Sequence, residues 1–428
     1  MTFQITDTIR AFMDTIIEKT QADNPKWGKV FEECFLNTLE TTIKVNPDGT
    51  SFVLTGDIPA MWLRDSSAQL RPYMLLAAMD EQVYQLIKGL VTLQFRYIHH
   101  DPYANAFNQE ANGKGHQDDH TDMTPWIWER KYEVDSLCYA IQLAYLLYKN
   151  TGRTDHLDQT FLTGLRDIIQ LWTLEQDHTN SPYVFVRDTD RQEDTLSHDG
   201  LGTPVAYTGM TWSGFRPSDD RCTYHYLIPS NMFASVVLGY VEVLGKVIDI
   251  PQDLLDQAAK LRQEITLGIE NHGKVQNAKG ETVYAYEVDG LGNYTIMDDG
   301  NIPSLLSAPY LGYIEKEHPL YLATRQTILS EENPYYYKGK YAAGVGSSHT
   351  WENYIWPMAL SIQGLTALDR EEKGRILDLL VETDGGTNRM HESFDVDDPS
   401  QFTRAWFSWS NMMFCELLLD YYGYNVKL

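Results

Sequence analysis

The sequence is poor in cysteine, in positive charge and in long apolar runs, and each shortage closes off a class of protein. Its four cysteines, Cys34, Cys138, Cys222 and Cys415, are scattered over 428 residues. None forms a Cys-x-x-Cys pair, so buried reduced thiols are expected in place of a disulfide framework or a zinc site. Lysine and arginine number 34 against 60 acidic side chains, a formal charge of −26, and no dense basic run occurs. A surface of that sign repels phosphate backbones and anionic lipid, which argues against nucleic-acid and membrane-surface partners. The longest apolar stretches, at residues 73–79 and 417–419, fall far short of the ~18 residues of a membrane span. The opening residues, Met-Thr-Phe-Gln-Ile-Thr-Asp, lack the basic region and small-residue cleavage site of a secretory signal, and a cytoplasmic location is the expectation.

What the chain does have is apolar mass. Hydrophobic residues make up 43% and aromatics 12%, with no tract dominated by Pro, Ser or Gly, so a large core and a globular chain throughout are expected. Helical periodicity is the main pattern. Val83, Leu86, Ile87, Leu90, Val91 and Ile98 fall on one helical face, as do Val134, Leu137, Cys138, Ile141, Ala144 and Leu147. Pro251 opens a helical segment that Gly273 ends, and Asp369 with Glu372 reads as a capping box.

Segments of this kind predict a dozen helices, near 3–20, 26–43, 65–79, 81–99, 133–150, 155–176, 229–247, 251–271, 319–330, 352–367, 370–383 and 403–422. Strand signals are few: 51–54, 183–186 and 282–286. The class is therefore mainly α, and with no linker-like break or fixed-period repeat, residues 1–428 are expected to form a single domain. An even number of helices joined by alternately short and long connections suits a closed toroid of six helical hairpins, with the long loops gathered at one end.

Eight of the ten tryptophans avoid the helical faces and lie in five polar segments. These are Gly56-Asp-Ile-Pro-Ala-Met-Trp-Leu-Arg-Asp65, residues 126–135, residues 211–220, residues 347–356, and the pair His391-Glu-Ser-Phe-Asp395 with Trp406-Phe-Ser-Trp-Ser-Asn411. Each mixes indoles with carboxylates, guanidiniums and amides. Sugars show apolar C–H faces between rims of hydroxyls, so a carbohydrate pocket needs aromatic platforms beside hydrogen-bonding groups. Taken singly, a tryptophan near a helix start is ordinary core packing, and Arg64 with Asp65 an ordinary buried ion pair. Five such segments together favour a sugar site. Among the carboxylates, Asp219 and Asp220 sit in a turn-rich stretch before a helix, where either could equally be an N-cap, and Glu392 by itself reads as a solvated loop acid. Asp118-Asp119-His120-Thr121-Asp122 has the form D-D-x-x-D, by which magnesium-dependent prenyl-diphosphate enzymes hold their metal, but its glycine-rich setting suggests a loop, not a helix face. Zinc ligation by His99, His100, His116 and His120 lacks any fitting motif.

Several stretches carry a family resemblance: Gly56 through Tyr73, Glu133-Val-Asp135, Phe215-Arg-Pro-Ser-Asp-Asp-Arg221, Gly344-Val-Gly-Ser-Ser-His-Thr-Trp351 and Met390-His-Glu-Ser-Phe394. Together they cover almost the whole chain, which resembles glycoside hydrolase family 125, the bacterial and fungal exo-α-1,6-mannosidases. The resemblance implies an (α/α)6 barrel and an inverting, metal-independent hydrolase that removes terminal α-1,6-linked mannose from oligosaccharides without a cofactor. It implies Glu392 as general base and a general acid within the doublet Asp219-Asp220, with Asp219 favoured. The acid is expected to have a raised pKa, with the adjacent aspartate one cause of it. Trp62, Arg64, Asp65, His349 and Asn353 are the expected walls of the mannose site. A bacterial source is expected as well; a non-catalytic sugar-binding protein on the same barrel is the alternative, and oligomeric state is left open.

Overall fold

Local sequence accounts for where the helices begin. In the computed structural model, which describes residues 3–428, twelve helices of eight or more residues form among the described residues. They are α1 (Asp7–Thr20), α2 (Pro25–Asn37), α3 (Leu63–Leu70), α4 (Glu81–His100), α5 (Val134–Thr151), α6 (Gln159–Leu174), α7 (Ile228–Leu244), α8 (Gln252–His272), α9 (Pro319–Ile328), α10 (Pro357–Leu365), α11 (Arg370–Glu382) and α12 (Ser408–Tyr421). Asp80, Asp158 and Asp369 accept backbone N–H bonds at the starts of α4, α6 and α11, and proline occupies the first turn of α2, α7, α9 and α10. The expected capping box is only half formed. Asp369 accepts from the Glu372 amide at 2.7 Å, but the Glu372 carboxylate turns to Arg325.

Burial separates two kinds of helix. The helices α3, α5, α7, α10 and α12 are buried around most of their circumference, whereas α4, α6, α8 and α11 bury one stripe. A helix apolar all round belongs inside, and a striped one outside. Inner α3 packs on α5, α5 on α7, α10 on α12, and α12 back on α3. The outer helices pair with them in chain order, which is the double ring of an (α/α)6 barrel.

The expected count of twelve holds, though two members differ from a plain reading of six hairpins. The helix α1 lies outside the ring against α2. The sixth inner position is held by buried turns at 302–312, where the Tyr139 hydroxyl donates to the Ile302 carbonyl and Arg71 to the Tyr310 hydroxyl. Pro303, Pro309 and Gly312 deny that segment a helix, and Ser304, Ser307 and Asp298 take up its amides instead.

Connections from inner to outer helices are brief, such as 152–158, 245–251 and 366–369. Those from outer to inner are long: 38–62, 101–133, 175–227, 273–301, 329–356 and 383–407. All six long loops therefore meet at the end where the inner helices begin. Short antiparallel strands staple neighbouring loops there. Met61–Trp62 pairs with Ala106–Phe107 and that with Ile127–Glu129, while Tyr354–Ile355 pairs with Ser393–Asp395 and that with Phe402–Thr403. The strands expected at 51–54 and 282–286 form, but 183–186 makes only a single bridge, Val186 to His120.

Candidate active site

At the loop end a cavity of about 190 Å³ opens over the inner ring. Its walls come from five of the six long loops and include Trp62, Arg64, Asp65, Asp219, Asn301, His349, Trp356, Glu392, Arg404 and Trp409. The volume is below the ~300–1,000 Å³ of drug-sized ligand sites, which suits one small ring.

The aspartate doublet separates cleanly. Asp219 lines the cavity with 24% of its side chain exposed, whereas the Asp220 side chain is 0% exposed. Adjacent residues face opposite ways because Asp219 adopts a left-handed backbone, φ 66°, a conformation that a non-glycine residue keeps only when its surroundings impose it. Here the Asp219 amide donates to the Arg216 carbonyl at 2.9 Å, the Arg216 amide to the Asp220 carbonyl at 2.7 Å, and Lys131 Nζ to the Asp219 carbonyl at 2.7 Å. Asp220 is committed below: it accepts from Arg191 at 2.7 Å and Ser348 at 2.5 Å and pairs with His349 at 2.9 Å. It supports the wall and does not reach the cavity.

The expected rise in the acid's pKa is not what this arrangement gives. Burial pushes the Asp219 carboxyl up, but Arg64 at 3.2 Å, a hydrogen bond from Glu133 and the charges of Lys131 and His349 outweigh it and hold it below the usual carboxylate range. Asp220 is held low as well, burial being outweighed by His349 and Arg191, and its charge is not among the main influences on Asp219. On the other side of the cavity, Glu392 opens the strand Ser393–Asp395 and lies 3.5 Å from Arg404 Nη1.

Arg64 organises the floor. At the start of α3 it reaches Asp65 at 3.4 Å, Asp135 at 3.5 Å, Asp219 at 3.2 Å and Glu133 in a short contact, and it lies 5.6 Å over the Trp409 ring. Asp65 accepts from the Thr55 hydroxyl at 2.6 Å, and burial raises its carboxyl despite Arg64. His349 is pushed up to about 9: burial opposes its charge, but the Asp220 hydrogen bond and the charges of Asp220, Glu392 and Asp219 prevail. Trp62, Arg64, Asp65 and His349 thus line the same cavity. Asn353 is not among them. It is exposed in a left-handed turn, φ 67°, where its carbonyl accepts from the Val396 amide at 3.0 Å, so it shapes the loop and contributes no wall.

A family model for the metal-independent α-mannosidases, glycoside hydrolase family 125, matches residues 24–419. The chain belongs to this family. The meiotically up-regulated gene 157 protein of Schizosaccharomyces pombe is 39% identical over an alignment that covers 94% of this chain and 83% of that protein. Among solved structures, a Streptococcus pneumoniae metal-independent α-mannosidase in a non-productive complex with α-1,6-mannobiose is 58% identical, with a TM-score of 0.97 over 98% of this chain and 99% of that one. A family 78 rhamnosidase from Bacillus sp. GL1 is 12% identical, with a TM-score of 0.54 over 93% of this chain and 34% of that one, and shares the fold alone. With a fungal relative at this level, family membership does not make the source bacterial.

For a family 125 hydrolase the cavity chemistry is apt. Trp62 Nε1, Trp409 Nε1 and Asn301 Nδ2, in residues that line it, are buried without a hydrogen-bond partner in the protein. Indole faces beside carboxylates, a guanidinium and an amide are the mixture that a sugar's C–H faces and hydroxyls call for. Sequence reasoning missed Arg404 and Asn301, each a lone polar residue in a loop with no motif to mark it. The D-D-x-x-D stretch is a loop whose Asp119 is spent on Arg187, with bonds of 2.7 and 2.6 Å, and family membership replaces the prenyl-diphosphate reading.

Proposed function

We propose that this family 125 enzyme is an inverting exo-α-1,6-mannosidase, with Asp219 as general acid and Glu392 as general base. The observation that carries the reading is that these two carboxyls line one cavity from separate loops, each beside its own guanidinium, Arg64 for the first and Arg404 for the second. The linkage rests on the bacterial relative, whose complex holds α-1,6-mannobiose. Terminal mannose sits among Trp62, Asp65, His349 and Trp409. Asp219 protonates the glycosidic oxygen as the C1–O bond breaks, while Glu392 removes a proton from the water that attacks the opposite face. A cytoplasmic setting belongs to the same proposal, supported by four buried free thiols; cell fractionation checks it.

The test is the anomer of the first-formed mannose, read by proton NMR before mutarotation. Initial β-mannose from α-1,6-mannobiose is the expected product. Initial α-mannose would require retention and a different role for Glu392. In parallel, Glu392→Gln lowers kcat by about 10²–10⁴-fold with the fold intact; near-normal turnover removes it from the mechanism.

A further inference from the structure

We propose that Glu133 is a positioning residue that holds the catalytic proton for Asp219, the two carboxyls sharing one proton across a hydrogen bond inside the buried floor of the cavity. The inference rests on the reading of Asp219 as general acid and extends it to a residue that touches no substrate.

Glu133 is the N-cap of α5 and its side chain is fully buried. Its Oε2 takes two donors, Arg64 Nη1 in a short contact and the Ser136 hydroxyl at 2.8 Å. That leaves Oε1 as the oxygen placed to carry a proton, its one hydrogen bond among the described residues coming from Asn105 Nδ2 at 3.4 Å. The same Asn105 nitrogen lies 3.4 Å from Asp219 Oδ1, and Arg64 Nη2 is 3.2 Å from that oxygen. Arg64 therefore bridges the two carboxyls, and Asn105, whose Nδ2 also donates to Glu129 Oε2 at 3.0 Å, lies between them. Two carboxyls so close cannot both be ionised at little cost, and they titrate as a pair. The groups facing Glu133 are Arg64, Asp219 and Asp135, and those facing Asp219 include Lys131 and His349. Burial, then the charges of Asp219 and Asp135, raise the Glu133 carboxyl well above the usual range against the pull of Arg64, whereas the three cations keep Asp219 low. With Oε2 taken by two donors and Asp219 Oδ1 facing Arg64 Nη2, Glu133 Oε1 is the oxygen placed to carry the shared proton in the resting site.

This arrangement resolves how an acid whose own carboxyl is held low can donate. The proton crosses from Glu133 Oε1 to the Asp219 carboxylate, and the negative charge left on Glu133 meets Arg64 and Ser136. Asp219 then gives the proton to the glycosidic oxygen as C1–O breaks, and Glu392 takes one from the attacking water. Glu392 returns its proton to solvent, the pair takes one up, and each turnover consumes only water.

The experiment compares wild type, Asp219→Asn, Glu133→Gln and Glu133→Asp on α-1,6-mannobiose and on a dinitrophenyl α-mannoside, whose leaving group needs no protonation. For Glu133→Gln we expect kcat/KM on mannobiose to fall about 100-fold, activity on the aryl mannoside to stay within about five-fold, and the alkaline limb of the pH profile to move at least about one unit lower. Glu133→Asp, which keeps a carboxyl, recovers most of the limb. An unmoved limb with equal losses on both substrates makes Glu133 a structural prop and overturns the proposal, as does near-normal activity. Asp219→Asn must be rescued by the aryl substrate; if it is not, the reading of Asp219 itself falls. Should Glu133→Gln not fold, glutamate-specific ¹³C labelling of the wild-type enzyme decides the matter, by a glutamic acid that stays protonated at neutral pH or by its absence.

Discussion

Replacing Arg64 by methionine tests the electrostatics of the site floor most severely. Four carboxyls, Asp65, Glu133, Asp135 and Asp219, surround this one cation, at 3.2 to 3.5 Å for three of them and in a short contact for Glu133. Removing one partner from a buried ion cluster leaves uncompensated charge and costs about 3–5 kcal/mol, and methionine retains enough bulk that a cavity adds little. The loss must also depend on pH. Burial already raises Asp65 and Glu133, and raises Asp135 to about 6, with the arginine present; without it all rise further. A group whose folded pKa lies above its unfolded value contributes stability that is complete below the unfolded pKa and is lost as pH climbs through the folded one. The deficit of Arg64→Met relative to wild type is therefore smallest near about pH 5 and largest near about pH 8. Urea unfolding at both pH values measures it, and Arg64→Lys restores part, since an ammonium keeps the charge but not the fork that reaches several partners. A deficit under about 1 kcal/mol, the size of an exposed pair, or one that does not grow with pH, refutes the account of the floor.

Asp220→Asn lowers stability more than Asp219→Asn, because it strips the charge from bonds to Arg191, Ser348 and His349; thermal unfolding of the two variants ranks them, and the reverse order contradicts the assignment of the doublet. His349 has its pKa raised from 6.5 to about 9, so its stabilisation is complete below about pH 6.5 and disappears as pH passes about 9; alkaline unfolding of wild type should show that loss and His349→Gln should flatten it. Gly300→Ala puts a Cβ 2.6 Å from Trp356 Cγ in the cavity wall, which costs about 1–3 kcal/mol of packing and raises KM as the indole is displaced; unchanged KM and melting temperature would contradict the placement of Trp356.

The helices were legible because the 3.6-residue period acts within one segment and needs no partner. Their assignment to rings was not. The periodic stretches of α5 and α4 look alike in sequence, yet α5 is buried nearly all round and α4 along a stripe, a distinction that only closure of the ring imposes. The turns at 302–312 escaped because their order comes from Asp298 and paired serines accepting amides, not from a periodic face. The even count of twelve survived since α1, packed outside, took the place of the missing inner helix. The tryptophan clustering did point to the site, but Trp212 is core, stacked 3.5 Å from His178 and 4.5 Å from His225, and Trp351 is exposed. An indole in a polar loop has the same local pattern in all three settings.

What no spacing could decide was which aspartate faces the cavity, because a single left-handed residue reverses the direction of its neighbour. The architecture explains why the acids gather there at all. Each long loop delivers its residues to the start of an inner helix, where unpaired N–H groups favour negative charge. Asp65 lies in the first turn of α3, Glu133 stands at the N-cap position of α5 with its side chain turned to Arg64 and Ser136, and Asp135 lies in the first turn of α5. One arginine does not neutralise all of them: burial keeps Asp65, Glu133 and Asp135 raised even at these helix starts, while Asp219 has Lys131 and His349 beside Arg64. A catalytic proton can be kept in such a place because the field there is balanced closely enough for one carboxyl to stay neutral while its neighbour is ionised.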